Sequence, residues 1–153
     1  MRWRSIGRRT EMDRPSRDAF RHFQPITTRW HDNDLYGHVN NVVYYSFFDS
    51  AVNSYLIEQG GLDIHHGEVI AFVVNSSCDY FASIAFPERI EVGLAVSKLG
   101  NSSVHYTLGI FKAGEHQACA AGRFVHVFVE RASNRPQPIP QPLRAALSRL
   151  RCD

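Results

Sequence analysis

Val42-Val43-Tyr44-Tyr45-Ser46-Phe47-Phe48-Asp49-Ser50-Ala51-Val52-Asn53-Ser54-Tyr55-Leu56-Ile57-Glu58-Gln59, closed by Gly60-Gly61, is the stretch from which the architecture follows. Tyr44, Phe47, Phe48, Ala51 and Tyr55 recur at steps of three and four, the period of one helix face. Tyr45, Val52 and Leu56 widen that face to about half the circumference, more than an ordinary surface helix carries. The opposite stripe, Ser46, Asp49, Ser50 and Asn53, is small and polar. The two glycines supply the left-handed backbone that ends helices, and Asn40 or Asn41 suits the N-cap. One long, heavily buried helix over Val42–Gln59 is the expectation.

Strands surround it. Pro25–Trp30 reads as a short strand before the helix, and Val69–Tyr80, Arg89–Leu99, Ser102–Lys112 and Gln117–Glu130 read as strands after it. Leu99-Gly100-Asn101 and Ala113-Gly114-Glu115 are turn chemistry, so the last three strands form an antiparallel meander. One strand, one helix and four strands is an α+β order. The helix would span roughly 27 Å and a nine-residue strand roughly 30 Å, so a five-stranded antiparallel sheet can curl around one central helix.

A chain of 153 residues suits one domain. The expected organisation is an Arg-rich disordered arm over residues 1–22, a folded domain over 23–131, and a Pro-rich tail with a short terminal helix over 132–153, the helix at Leu143–Arg151. The net charge of +2 is carried by the head: seven of the 17 basic residues, against three of the 15 acidic ones, precede residue 22, leaving the remainder at about −2. The body thus has no basic excess for a nucleic-acid backbone. No stretch reaches the roughly 18 uninterrupted apolar residues of a membrane span. Cys78, Cys119 and Cys152 show no CxxC spacing and cannot all pair within one chain, which favours a reducing, cytoplasmic setting over a disulfide frame or a zinc site.

Chemistry concentrates just before the helix. Thr28-Arg29-Trp30-His31-Asp32-Asn33-Asp34-Leu35-Tyr36-Gly37-His38-Val39-Asn40-Asn41 holds two carboxylates, two histidines and three asparagines in one loop. A helix N-terminus offers unpaired N–H groups and partial positive charge, which suit a developing oxyanion. A carboxylate just upstream could direct water at a carbonyl held there, or attack it directly. Two plainer readings stand beside this one: an aspartate-stabilised turn at Asp34-Leu35-Tyr36-Gly37, and a metal cluster of His31, Asp32, Asp34 and His38, for which no HExxH or EF-hand spacing exists.

The segment resembles the signature of hotdog-fold thioesterases of the 4-hydroxybenzoyl-CoA thioesterase-like family: an aromatic strand end, D-x-D-x-x-G, then a helix rich in Asn and Tyr. Here these are Trp30, Asp32, Asp34, Gly37 and Val42–Tyr45. The similarity runs over about residues 23–131 and includes the Gly100-Asn101-Ser102-Ser103 turn and the Gly122-Arg123-Phe124-Val125 strand.

The resemblance implies an acyl-CoA thioesterase with Asp34 as catalytic carboxylate and the backbone N–H near Asn41 polarising the carbonyl. Coenzyme A enters as part of the substrate, with no separate cofactor and no metal. His38-Val39-Asn40-Asn41 also resembles the HVNN of plant-type acyl-ACP thioesterases, which adds His38; Tyr36 stands where that family has a further Asn. Tyr36 and Gly37 in the loop, and Tyr44 and Phe48 on the helix, are the candidate substrate contacts. Asp49, on the polar stripe, is the alternative carboxylate of a second hotdog group, or a residue that caps or pairs across a subunit interface. An acyl-ACP thioesterase and a non-catalytic acyl-CoA-binding module remain the competing functions. The resemblance further implies a homodimer or homotetramer, two sheets joining edge to edge.

Overall fold

The Asn40 side chain accepts the Val42 N–H at 3.0 Å, so helix α1 begins at Asn41; it ends at Gly60, with Gly61 left-handed at φ 69°. The computed structural model describes residues 14–152, and in it α1 (Asn41–Gly60) follows β1 (His22–Thr27). After α1 come β2 (Val69–Tyr80), β3 (Arg89–Leu99), β4 (Ser103–Lys112), β5 (Ala120–Glu130) and α2 (Gln141–Ser148). The sheet is antiparallel throughout, in the order β1-β3-β4-β5-β2, so β1 and β2 are its edges. This is the α+β hotdog arrangement expected: one long helix laid along a five-stranded sheet.

Tyr44, Phe47, Phe48, Ala51, Val52, Tyr55 and Leu56 form the buried face of α1. They meet the inner sheet face at Val92, Leu94, Tyr106, Leu108, Phe124 and Phe128. Close approach needs Gly122: a Cβ there would lie 2.5 Å from the Phe48 ring. Each large side chain sealed here contributes about 1.5–3 kcal/mol relative to exposure, which fixes the helix on the sheet and, with it, whatever the helix start carries.

Both domain boundaries differ from the expected ones. Arg17 and Phe20 pack on the outer sheet face and His22 already opens β1, its ring 4.9 Å from that of Tyr55 in α1, so the described part of the proposed arm belongs to the domain; residues 1–13 lie outside the described residues. Phe20 seats its ring over the cross-strand pair Gly93 and Gly109, where a Cβ at either position would come within 2.7 Å of it. Arg17 pairs with Glu91 at 2.9 Å and lies over the Phe23 and Phe111 rings, at 5.2 and 4.9 Å. Arginine-rich sequence reads as solvated, yet Arg17 lays its guanidinium plane on aromatic surface. At the other end, Ile139, Leu143, Ala146, Leu147 and Leu150 are core residues, and the Tyr55 hydroxyl donates to Ala146 O at 2.6 Å. The expected Pro-rich tail therefore completes the core. The first strand also starts earlier than Pro25–Trp30: Pro25 sits mid-strand, tolerated because β1 pairs on one side only, and Trp30–Asp32 form a 3-10 turn.

His126 is buried on the inner face, its ring 5.2 Å from that of Tyr106 and its Nδ1 without a partner among the described residues. Burial pushes its pKa down to about 4. The unfolded chain then binds a proton that the folded chain does not, so stability contributed by neutral His126 is present above pH 6.5 and lost as pH falls towards 4. Between pH 7 and pH 5 the loss should be about 2 kcal/mol. Denaturant melts across that range should show it, and His126→Gln should flatten the dependence; an unchanged slope would show that His126 titrates normally.

Candidate active site

The loop before α1 is a small hairpin held by its own backbone. Asp32 O accepts the Asn40 N–H at 2.9 Å, Asn33 bridges to Val39, and the Asp34 N–H reaches His38 O at 3.0 Å. Leu35, Tyr36 and Gly37 make the turn, which Gly37 closes at φ 83° with its N–H on Asp34 O. Asp34 and His38 are thereby set opposite each other. From His38 the chain needs only Val39 and Asn40 to enter the helix.

The two carboxylates of the loop are in different states of use. Asp32 is buried, accepts the Arg29 N–H at 2.8 Å, and pairs with the Arg29 guanidinium at 2.8 Å. It is committed to the 3-10 turn. Asp34 is half-buried, and its Oδ1 accepts the Tyr36 N–H at 2.9 Å. That bond is the aspartate-stabilised turn of the plainer reading, but it engages one carboxylate oxygen and leaves the other without a partner among the described residues. Asp34 lines a surface groove of about 550 Å³ together with Trp30, Asn33, Leu35 and Gly37.

The helix start follows three residues after His38. Val42 N–H is taken by the Asn40 side chain and Val43 N–H by Asn40 O, leaving the Asn41 N–H without an acceptor among the described residues. An unpaired N–H at a helix N-terminus is the group that stabilises a developing oxyanion. His38 is half-buried, and its hydrogen bond among the described residues is the backbone one from the Asp34 N–H.

The other candidates are dispersed. Tyr36 is 88% exposed and, unlike its neighbours Leu35 and Gly37, does not line the groove, whose apolar lining is Trp30 and Leu35. Tyr44 and Phe48 are buried in the core and do not line the groove. Asp49 is exposed on the far stripe of α1, where its carboxylate accepts from Asn53 Nδ2 at 3.1 Å. His65 and His66 are exposed, in a loop beside a separate groove of about 380 Å³ with Glu68, Glu130 and Arg131. Burial pushes the Cys78 thiol up to about 11 and the buried Cys119 thiol upward as well, so neither supplies a thiolate. Among the described residues no cluster has the makings of a metal site, and no helix is long and apolar enough to cross a membrane.

A family model described as the thioesterase-like superfamily matches residues 28–147, from the start of this loop to the end of α2. The chain belongs to the thioesterase-like superfamily. As a member of that superfamily it is a thioester hydrolase. Its structure is similar to the PA5185 protein from Pseudomonas aeruginosa strain PAO1, at 70% identity over 90% of this chain and 96% of that one, TM-score 0.89. The PA2801 protein from Pseudomonas aeruginosa matches at 29% identity over 84% and 98%, TM-score 0.78. The fold is also that of Slr0204, a 1,4-dihydroxy-2-naphthoyl-CoA thioesterase from Synechocystis, at 22% identity over 82% and 94%, TM-score 0.74.

Several residues that build this thioesterase-like site were not singled out by the sequence reading. Ile84 O receives the Val39 N–H at 2.7 Å, the Asn33 side chain accepts the Phe86 N–H at 3.1 Å, and Phe86 meets Trp30 edge-on at 5.9 Å. The Tyr80 hydroxyl donates to Asn41 O at 2.9 Å. The segment Ile84–Phe86 thus backs the hairpin, and β2 reaches the helix start.

Proposed function

We propose that this thioester hydrolase acts on an acyl-CoA, releasing free acid and CoA, with Asp34 as general base or nucleophile and the Asn41 N–H holding the carbonyl oxygen. The observation that carries the reading is the conjunction of a half-engaged carboxylate in an open groove with an unpaired helix-start N–H next along the chain. A thioester carbonyl is a reactive electrophile, so one carboxylate and one preorganised donor are a sufficient apparatus. The exposed apolar side chains of Trp30 and Leu35, which line the groove, suit the acyl group or its linker. That the same fold serves a CoA thioester in Slr0204 is consistent with this substrate class.

Release of free thiol from a panel of short, long, branched and aromatic acyl-CoAs tests the reading. Turnover of at least one class is expected; none across the panel would favour a protein-borne acyl substrate or a binding module. Further parts of the proposal are a homodimer formed along β2 and action in the cytoplasm, which suits three free thiols. His38, opposite Asp34 on the hairpin, orients the carboxylate or its water. His38→Ala should lower kcat by at least tenfold with KM little changed, and a fall under threefold would make His38 structural.

A further inference from the structure

We propose that Tyr80 is a positioning residue for this reaction: from the end of the edge strand its phenol holds the first peptide of α1 and thereby aims the Asn41 N–H. The inference rests on the catalytic reading above and assigns the part that strand β2 plays in it.

The geometry is a short relay. The Tyr80 hydroxyl donates to Asn41 O at 2.9 Å, across 39 residues of sequence. That carbonyl belongs to the same peptide unit as the Val42 N–H, which in turn donates to the Asn40 side chain at 3.0 Å. Hydrogen bonds in series through one peptide polarise and strengthen each other. The phenol therefore tightens the N-cap bond, fixes the plane of the Asn41–Val42 peptide, and limits rotation about the adjoining Asn41 backbone, on whose other side lies the unpaired N–H. A donor one helix turn out of place loses most of its value to an oxyanion, since such stabilisation depends on preorganisation.

The surroundings keep the phenol in place as a donor. Its ring stands edge-on to Tyr44 at 4.9 Å, one turn into the helix. Burial, and then Cys78 beside it, hold its pKa above the ordinary phenol value, so the proton stays on the oxygen. The ring contact carries packing and the hydroxyl carries the relay, so the two are separable by one atom.

Tyr80→Phe keeps the ring and removes the donor. Three measurements decide the matter. Hydrogen exchange should quicken at least tenfold at the Val42 amide, with amides in the middle of α1 unchanged. With an acyl-CoA that the wild type hydrolyses, kcat should fall three- to tenfold with KM within twofold and the melting temperature within two or three degrees. Asn40→Ala, which removes the acceptor at the far end of the relay, should give an effect on kcat that is not additive with Tyr80→Phe. Unchanged exchange would show that the phenol does not hold the helix start, and the inference falls. Quickened exchange with unchanged kcat, or additive effects, would overturn the positioning role. If the wild type hydrolyses no member of the panel, the catalytic reading fails instead, and exchange alone reports whether the phenol holds the peptide.

Discussion

Asp34→Asn is expected to lower kcat at least a hundredfold while acyl-CoA binding remains measurable by calorimetry. The substitution is well matched to the geometry. Asparagine keeps an oxygen able to accept the Tyr36 N–H, the bond that Asp34 Oδ1 makes at 2.9 Å, so the turn and the hairpin should persist. What disappears is the negative charge and the basicity of the oxygen left open to the groove. Neither attack on the thioester carbon nor proton removal from water survives that change. A hundredfold is about 2.7 kcal/mol of transition-state stabilisation, modest for loss of a principal catalytic group, and some residual rate would come from the Asn41 N–H and substrate binding. Near wild-type hydrolysis by the variant would place the catalyst elsewhere, with Asp49 next; its position on the exposed stripe of α1, already bonded to Asn53, makes it the weaker candidate.

The long strands after the helix were legible because their signals are local. Val69–Tyr80 and Arg89–Leu99 run as expected, each bounded by turn residues and rich in branched and aromatic side chains. The helix was legible for the same reason, as its apolar face and its glycine stop sit within one window. The chain ends were not. Arg17 finds Glu91 and Phe111, and Tyr55 finds Ala146, partners far off in sequence that no window contains. The candidate site divides in the same way. The hairpin could be read because polar residues crowd it, whereas Tyr80, Ile84 and Phe86 act on it through backbone groups and a single phenol. Tyr44 and Phe48 show the opposite hazard: aromatic residues at helical spacing read equally as pocket lining or as core, and here they pack as core.

A charge placed on β2 should break the assembly, and with it most of the activity. Strand β2 pairs with β5 on one side only, and on the other its backbone donors and acceptors face outward. Phe72, Val73 and Val74 are 42%, 44% and 59% exposed there, with no lysine or proline in the strand to blunt the edge. A long apolar edge of this kind calls for cover, and a second copy of the same strand supplies it in a two-fold, self-complementary contact. Val74 is the position to change. It falls at the irregularity between Val73 and Asn75, outside the β2–β5 register, so Val74→Asp should leave the subunit folded. Near a two-fold axis the new carboxylates of both subunits would be brought together with little water to screen them. Light scattering at about ten micromolar should give a dimer mass for the wild type and a monomer mass for the variant, a loss of affinity of at least two orders of magnitude. Turnover should fall to a tenth or less, because β2 ends on Tyr80, which holds Asn41, and a partner running beside β2 passes the helix start. A wild-type monomer would end the edge-to-edge proposal, and a fully active monomeric variant would show that each subunit carries a complete site.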